Sequence, residues 1–513
     1  MPRQGEQAAQ RVGLDARAAA EISARSRDHN SVLPNEATPA PNELRPDLCV
    51  IGGGSGGLSV AAAAAQLGVS VVLIEKHKMG GDCLHYGCVP SKALLAAAAR
   101  AHAMRTAGPL GIAPVRPAID HAAVNSHVRG VIAAIAPNDA AERFTGLNVK
   151  VIGAPARFLD RKRVIAGEYR IKARRFVIAT GSSPEIPSIE GLSEVPYFTN
   201  ETIFANRDKL EHLLVLGAGP IGLELAQAHL RLGSRVTVLE GLKALSKDDP
   251  EMSELVLERL MAEGIDIREG VQIVRVAGAM GAIDVHVLEG GVHRLVQGTH
   301  LLLATGRTAN VAGLNLEAAR IKYDTRGIKV NAGLKTSNRR VYAIGDVTGG
   351  PQFTHVANYH ADIVLRRALF RLPAKLDANI LPWTTFTDPE LAHVGMTEDV
   401  ARRRFGHIHV LRWPFHENDR AQTERATDGF VKVITDGKGR ILGASVVGRL
   451  AGEVIQMWCL AVAQGLKINA MTRWISPYPA LCEVNKRVAY GYYVSAAANP
   501  LVRKLIGWLA RLG

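Results

Sequence analysis

The sequence predicts an α/β fold in which two parallel-sheet units of one design precede a smaller α+β unit. Three observations carry that prediction. Leu48 to Glu75 and Leu213 to Glu240 each read as strand, glycine turn, helix and strand. The displacement from Gly52 to Gly217 equals that from Glu75 to Glu240, so the second unit repeats the first in register. From Pro382 to about Ala498, short apolar strands such as GFVKVIT and ILGASVVG alternate with the helical stretch AGEVIQMWCLAVAQG.

Length and composition agree. A chain of 513 residues with 47% hydrophobic content forms several domains and buries a large core. No apolar run is long enough to span a bilayer, and no hydrophobic signal core precedes Asp47. Five cysteines in so long a chain do not make a secreted disulfide scaffold, so a cytoplasmic protein is expected, with any disulfide catalytic. The net charge of +14 is spread along the chain rather than clustered, which argues against nucleic acid as a partner.

In the first unit Gly52, Gly54 and Gly57 stand at GxGxxG spacing and Glu75 closes the second strand; Gly217, Gly219, Gly222 and Glu240 repeat the pattern. Such a turn brings backbone N–H groups to a pyrophosphate at a helix N-terminus, and the strand-end carboxylate reaches an adenosine ribose. Two such units in register predict two Rossmann-like domains, each taking a dinucleotide.

GGDCLHYGCVPSKA, Gly80 to Ala93, carries Cys83 and Cys88. A disulfide needs their Cα atoms within about 7 Å, whereas five steps of regular helix rise roughly 7.5 Å. The segment must bend, and Gly87 allows it. Pro90 suits the first turn of a helix, which puts Cys88 beside a positive helix end that favours a thiolate. Taken alone, the segment suits a redox pair or half of a metal site. Zinc sites usually need a second pair, which Cys49, Cys459 and Cys482 do not provide, and no metal is predicted.

Together these features identify a resemblance. From Pro46 to about Ala498 the chain resembles the class I pyridine nucleotide-disulfide oxidoreductases, the flavoprotein family of glutathione reductase, dihydrolipoamide dehydrogenase and mercuric reductase. The landmarks are the first glycine unit, GGDCLHYGCVPSK, the strand ends Ala179-Thr180-Gly181 and Ala304-Thr305-Gly306, VYAIGD ending at Asp346, and FTDPELAHVGMTE from Phe386.

The resemblance implies that the first unit binds FAD and the second a nicotinamide cofactor, while Asp346 holds the flavin's ribityl chain. Lys76, Gly81, Thr180, Gly181 and Gly306 complete the expected cofactor contacts. Lys92 is expected to pair with Glu224 beside the flavin, Cys88 to face the flavin and Cys83 to meet the substrate. Glu240 would repel a 2′-phosphate, so NADH is preferred, with NADPH left open by Lys243 and Arg235. Implied domains are FAD-binding over 45–189 and 312–381, NAD(P)-binding over 190–311, and a homodimer-forming interface over 382–498. A mobile extension over 1–44 and a basic amphipathic tail over 499–513 flank them.

The chain departs from the resemblance at SPYPALCE. Thiol-disulfide members carry His five residues before the glutamate, and Tyr478 stands there before Glu483; both residues are expected to come from the partner subunit. A tyrosine titrates near 10 and a histidine near 6.5, so Tyr478 is a poor acceptor for a thiol proton. This disfavours a dihydrolipoamide dehydrogenase-like or glutathione-reducing activity and favours mercuric ion, since mercuric reductases resemble this chain there. The closing WLARLG, however, lacks the vicinal cysteine pair usual in those enzymes. Cys482 is read as a core or interface cysteine before a substitute thiol. His85 is read as a solvent-facing loop imidazole, with a base for Cys83 as the alternative.

In the tail, Leu501, Leu505, Trp508, Leu509 and Leu512 share one helical face, away from Arg503, Lys504 and Arg511. The expectation is packing on its own domain, with weak peripheral contact to an anionic membrane as the alternative. The functional expectation is electron transfer from NAD(P)H through flavin to Cys83 and Cys88, then to a disulfide or thiophilic substrate. A redox-sensing or membrane-recruited flavoprotein with little turnover is the non-enzyme reading.

Overall fold

The computed structural model describes residues 42–497 and 500–512. The expected extension therefore lies outside the described residues up to position 41. Its end differs from expectation: Asn42–Leu44 form a strand, and the Lys172 N–H donates to the Leu44 carbonyl at 2.8 Å. Leu44 is apolar and packs against the core beneath, which holds this strand in place.

In the first unit LCVI and VVLIE are continuous apolar runs, as strands covered on both faces require. Val341–Ala343, Arg175–Ile178, Leu48–Ile51, Val71–Glu75 and Val149–Gly153 lie side by side in that order, all parallel. Helix α1 (Ser55–Gln66) joins the second and third strands of sequence through its small residues, burying Val60, Ala61 and Ala64. The short helix α2 (Gly81–His85) and the long α3 (Cys88–Arg105) follow.

The chain leaves this sheet after Ile178 and returns at Val341. Between them Asp266–Arg268, Arg235–Leu239, His212–Leu216 and His300–Leu303 form a second parallel sheet, in that order. Helix α4 (Pro220–Arg231) repeats the place of α1, with Pro220 at its first position, where a missing N–H costs nothing. Helix α5 (Thr354–Ala368) follows the chain's return to the first sheet and packs on α1.

One hydrophobic cluster ties the redox segment to the rest. Ala93, Leu94, Ala98 and Ala101 of α3 are buried with Leu213 and Val215 of the second sheet and Leu223 of α4. Leu391 and Val447, from the C-terminal sheet, join the same cluster. Truncating Leu94 to alanine would cost about 2–5 kcal/mol and loosen the start of α3.

The C-terminal sheet is antiparallel, ordered Pro382–Thr385, Glu390–Gly395, Ile441–Gly448, Phe430–Asp436 and Ile408–Pro414. Trp458 is fully buried against it and donates its indole N–H to Asn485 Oδ1 at 2.7 Å. Helix α6 (Glu483–Ala497) buries Val484, Val488 and Ala489 in this core.

The tail departs from expectation. Its helix α7 (Pro500–Leu509) has no buried residue, and Leu505 and Trp508 are 54% and 58% exposed. Among the described residues, none of α7 joins the buried core of the C-terminal domain, to which α6 contributes Val484, Val488 and Ala489. Among the described residues no helix is long and apolar enough to cross a membrane.

Candidate active site

Both glycine turns are built where only glycine fits. Gly52 has φ +111°, and a Cβ there would meet the Ala179 carbonyl oxygen at 2.2 Å; Gly217 has φ +104° and would meet that of Ala304 at 2.5 Å. The third glycines press helix on strand, since a Cβ on Gly57 or Gly222 would lie 1.9 or 2.0 Å from the Gly52 or Gly217 oxygen. The middle glycines differ. A Cβ on Gly219 meets nothing within 4 Å, and one on Gly54 only Gly81 Cα at 3.9 Å. That space at each helix N-terminus is the cradle a pyrophosphate needs, and the residues present fit a dinucleotide at both turns.

The strand-end glutamates are held identically. Glu75 Oε2 accepts from Gly53 N–H at 2.6 Å and its Oε1 from His77 N–H at 2.7 Å. Glu240 Oε2 accepts from Ala218 N–H at 2.8 Å and its Oε1 from Leu242 N–H at 2.9 Å. Each carboxylate is thus fixed beside its glycine turn with lone pairs left for a sugar.

A single cavity of about 2210 Å³ is lined by both turns together with Glu75, Lys76, Gly81, Thr180, Gly181, Glu240, Gly306 and Asp346. Cys83, Cys88, Lys92 and Glu224 line it too. Thr180 Oγ1 donates to the Asn310 carbonyl at 2.7 Å, clamping the strand end. Asp346 Oδ2 accepts from Ser182 Oγ at 2.6 Å, and burial raises its proton affinity above the usual carboxylate range.

At the centre α2 ends after His85, the backbone turns through Gly87, and α3 begins at Cys88. A Cβ on Gly87 would lie 2.9 Å from Asp82 Oδ2, so the bend also depends on glycine. Cys83 and Cys88 are free thiols. The hydrogen bond from Cys83 holds the Cys88 thiol down at about 6, helped by the Thr354 hydroxyl and the Lys92 charge and opposed by burial. Cys83 is pushed the other way, first by that same hydrogen bond, then by burial and the Cys88 charge. The pair therefore rests as one thiol and one thiolate.

Lys92 of α3 and Glu224 of α4 meet at 2.8 Å beside this pair. Glu224 is buried, and its Oε1 accepts from Phe386 N–H at 2.9 Å, while Lys92 Nζ lies 4.3 Å from the Phe386 ring centroid.

Other expectations fare differently. Tyr478 and Glu483 do not line the cavity of their own chain. Tyr478 is 70% exposed and donates its phenol to Asp419 Oδ2 at 2.7 Å, which raises its proton affinity further. Glu483 accepts from Arg487 at 3.2 Å. His85 is half-buried at the end of α2, and its Nε2 donates to the Met79 carbonyl at 2.8 Å. Cys482 is half-buried, its Sγ 3.8 Å from Ser476 Oγ.

Two residues of the site were missed. Arg307 is almost buried and reaches Asp82 at 3.1 Å and Ser182 Oγ at 2.8 Å, bracing the loop of Cys83 against the Asp346 side of the cavity. Thr354, the first residue of α5, lies 3.4 Å from Cys88 Sγ. The position of Arg307 directly after Ala304-Thr305-Gly306 was the signal available for the first; Thr354 had none.

Comparison with known proteins agrees with this geometry. Residues 46–361 match the family described as pyridine nucleotide-disulphide oxidoreductase, and residues 381–489 match its dimerisation domain. The mercuric reductase of Lysinibacillus sphaericus is 34% identical over 451 residues, covering 87% of this chain and 83% of the relative. The dihydrolipoyl dehydrogenase of Thermus scotoductus is 34% identical over 444 residues, covering 85% and 95%. Among solved structures, the Cu(II) complex of the HOCl-induced flavoprotein disulfide reductase RclA from Escherichia coli superposes with a TM-score of 0.78 at 26% identity, covering 87% of this chain and 99% of that one. The chain accordingly belongs to the pyridine nucleotide-disulphide oxidoreductases, FAD-dependent flavoproteins that use NAD(P)H and carry a dimerisation domain.

Proposed function

We propose that the protein takes a hydride equivalent from NADH, reduces a Cys83–Cys88 disulfide, and passes the electron pair to a thiophilic or disulfide substrate. The observation that carries this reading is the opposite titration of Cys83 and Cys88 inside the cavity that both dinucleotide turns line. Bound FAD would supply hydride acceptance from the nicotinamide and delivery of two electrons to sulfur. One hydride added to a disulfide yields one thiol and one thiolate, which is the state the two side chains favour here.

Gly52, Gly54, Glu75, Thr180 and Asp346 would hold the FAD; Gly217, Gly219 and Glu240 would hold the nicotinamide cofactor. Lys92, kept in place by Glu224, steadies the negative charge on Cys88. Preference for NADH is supported by the two cations that could have met a 2′-phosphate. Lys243 is engaged by Glu269 at 2.7 Å, and Arg235 lies 2.6 Å from His212 Nδ1. Glu240, held by the Ala218 and Leu242 N–H groups rather than by a cation, would meet the adenosine ribose. In a homodimer, which the dimerisation domain supports, Tyr478 and Glu483 would be offered to the partner's Cys83.

Mercuric ion is the substrate that Tyr478 favours, because the phenol donates to Asp419 and is held in its protonated form, which cannot accept a thiol proton. The reaction balances as Hg(II) and NADH giving Hg(0), NAD⁺ and one proton, with the soft ion bound by thiolate. The test is anaerobic oxidation of NADH by the FAD-loaded enzyme with Hg(II), lipoamide, glutathione disulfide or quinones. NADH reduction should also expose two new titratable thiols. Loss of turnover in both Cys83→Ser and Cys88→Ser is expected; full turnover in either variant would sink the disulfide route.

A further inference from the structure

A second cavity, of about 390 Å³, shares no lining residue with the catalytic one. Arg175, Lys335, Arg367 and Arg371 line it with Tyr342, Leu372 and Pro373, so four cations and no carboxylate face one space. The cations come from three parts of the first unit. Arg175 opens the strand beside Val341–Ala343, Lys335 bridges to Tyr342 of that edge strand, and Arg367 and Arg371 stand at the end of α5 and just beyond it. Asp362, on the same helix, is paired with Arg366 at 3.1 Å, and among the described residues no carboxylate pairs with any of the four.

The contacts these side chains do make leave most of their donors unused. Arg367 donates to the Ala374 carbonyl at 2.9 Å, Arg175 to the Arg174 carbonyl at 3.0 Å, and Lys335 Nζ lies 5.4 Å from the Tyr342 ring centroid. The Arg367 guanidinium is fixed against backbone: a Cβ on Gly333 would lie 2.4 Å from its Nε and 2.5 Å from its Cζ, and that Nε is buried without a partner. Burial, and after it the positive charges of Arg367, Arg175 and Arg339, weaken the hold of Lys335 on its proton, and no negative charge strengthens it. The C-terminal end of α5 supplies only about half an elementary charge of the opposite sign, a fraction of what four cations need.

We propose that this cavity binds a small phosphate-bearing anion, a pyrophosphate-like group lying among Arg175, Lys335, Arg367 and Arg371. Guanidinium and ammonium groups donate and accept nothing, so their complement is an anion rich in acceptors. Cations arriving from three segments suit phosphate, whose oxygens point in several directions, better than carboxylate, whose two oxygens share a plane. Four like charges around one space favour a multiply charged occupant over a halide. The volume lies at the lower end of small-ligand pockets, which run from about 300 to 1,000 Å³, and leaves room for a diphosphate with a small organic remainder but not for a helix of another protein. The site is independent of the redox substrate.

The experiment titrates inorganic pyrophosphate into the full-length, FAD-loaded enzyme, saturated with NAD⁺ so that both glycine turns are occupied, and follows binding heat and thermal unfolding. Wild-type enzyme should bind saturably and unfold at a higher temperature, and Lys335→Gln or Arg371→Gln should weaken binding by about tenfold. Without pyrophosphate each variant should unfold at or above the wild-type temperature, because it removes a like charge from a cluster that lacks a counter-ion. A cation with a merely structural role would lower that temperature, and this result overturns the proposal. Both variants should oxidise NADH at the wild-type rate, since neither residue lines the catalytic cavity. Undiminished binding in both variants overturns the proposal, as does binding lost in Gly219→Ala instead, which places pyrophosphate on the nicotinamide turn. Equally tight binding of citrate overturns the choice of phosphate. Sedimentation with vesicles of phosphatidic acid is the second arm: binding there that the same variants lose, with none to pyrophosphate, keeps the phosphate and makes a lipid headgroup its source.

Discussion

Replacing Cys83 with alanine tests most directly how the two thiols are driven apart. The hydrogen bond from Cys83 is the largest influence holding Cys88 at about 6 rather than the ordinary 9.0; the Thr354 hydroxyl and then the Lys92 ammonium contribute less, and burial opposes all three. A thiol titrating near 6 is roughly nine-tenths ionised at pH 7, and one titrating near 9 only about one-hundredth. Cys83→Ala should therefore carry the Cys88 titration above about 7. Thr354→Val and Lys92→Gln should move it in the same direction by successively smaller amounts. Cys83→Ser, which keeps a donor, should recover part of the loss.

The sign follows from the direction of the shift. A depressed thiol is charged above its own titration point and becomes neutral as pH falls through about 6, so the wild-type thiolate signature disappears below that value. The reporter is the long-wavelength absorbance that a Cys88 thiolate gives beside oxidised flavin, followed against pH. Cys83→Ala is suited to it because no disulfide can form and no reductant is needed. An unshifted titration in Cys83→Ala, or a wild-type titration near 9, would refute the assignment of Cys83 as donor.

Three further outcomes follow from other parts of the molecule. Gly219→Ala adds a methyl group that meets no protein atom within 4 Å, so thermal stability should hold while KM for NADH rises at least tenfold; Gly52→Ala, whose methyl meets Ala179 at 2.2 Å, should instead be purified without FAD. Glu240→Ala removes the carboxylate fixed by Ala218 and Leu242, and should raise KM for NADH by about 10- to 100-fold with kcat within about twofold. Steady-state kinetics check both. Lys432 is 4% exposed and joins Asp249, Glu251 and Glu398 at 2.8, 3.0 and 2.8 Å, so Lys432→Met leaves Asp249 buried without a cation and should cost about 3–5 kcal/mol in denaturant unfolding.

The parts of the site that were legible in the sequence are those that local backbone geometry dictates. A glycine turn, the helix it starts and the glutamate closing the next strand lie within one short segment, and their spacing is the structure. The Cys83–Cys88 bend is local in the same sense. What surrounds them is not. Arg307, Thr354 and Phe386 come to the site from positions far along the chain: Arg307 through the pairing of its strand with Ser182–Pro184, Thr354 through the packing of α5 on α1, and Phe386 through its N–H bond to Glu224. A helical wheel likewise located the apolar face of α7 but could not tell that no residue of α7 enters the domain's buried core. The hydrogen bond of His85 was not legible because its partner, the Met79 carbonyl, is a backbone atom that no side-chain pattern announces.

The two thiol states also bear on the substrate. On the proposed reading each turnover leaves a proton on Cys83, whose affinity for it is raised, and a charge on Cys88. A disulfide substrate needs Cys83 deprotonated before it can attack, because the thiolate is the nucleophile. Tyr478, held protonated by its hydrogen bond to Asp419, cannot accept that proton. A thiophilic metal ion imposes a weaker demand, since coordination itself lowers the affinity of a thiol for its proton and expels it. The same reasoning sets the expected pH dependence apart: disulfide turnover should climb steeply through the alkaline range, while Hg(II) turnover should remain nearly flat above about pH 7. Parallel profiles for the two substrates would show that Cys83 loses its proton by a route common to both, and would remove the chemical ground for preferring the metal.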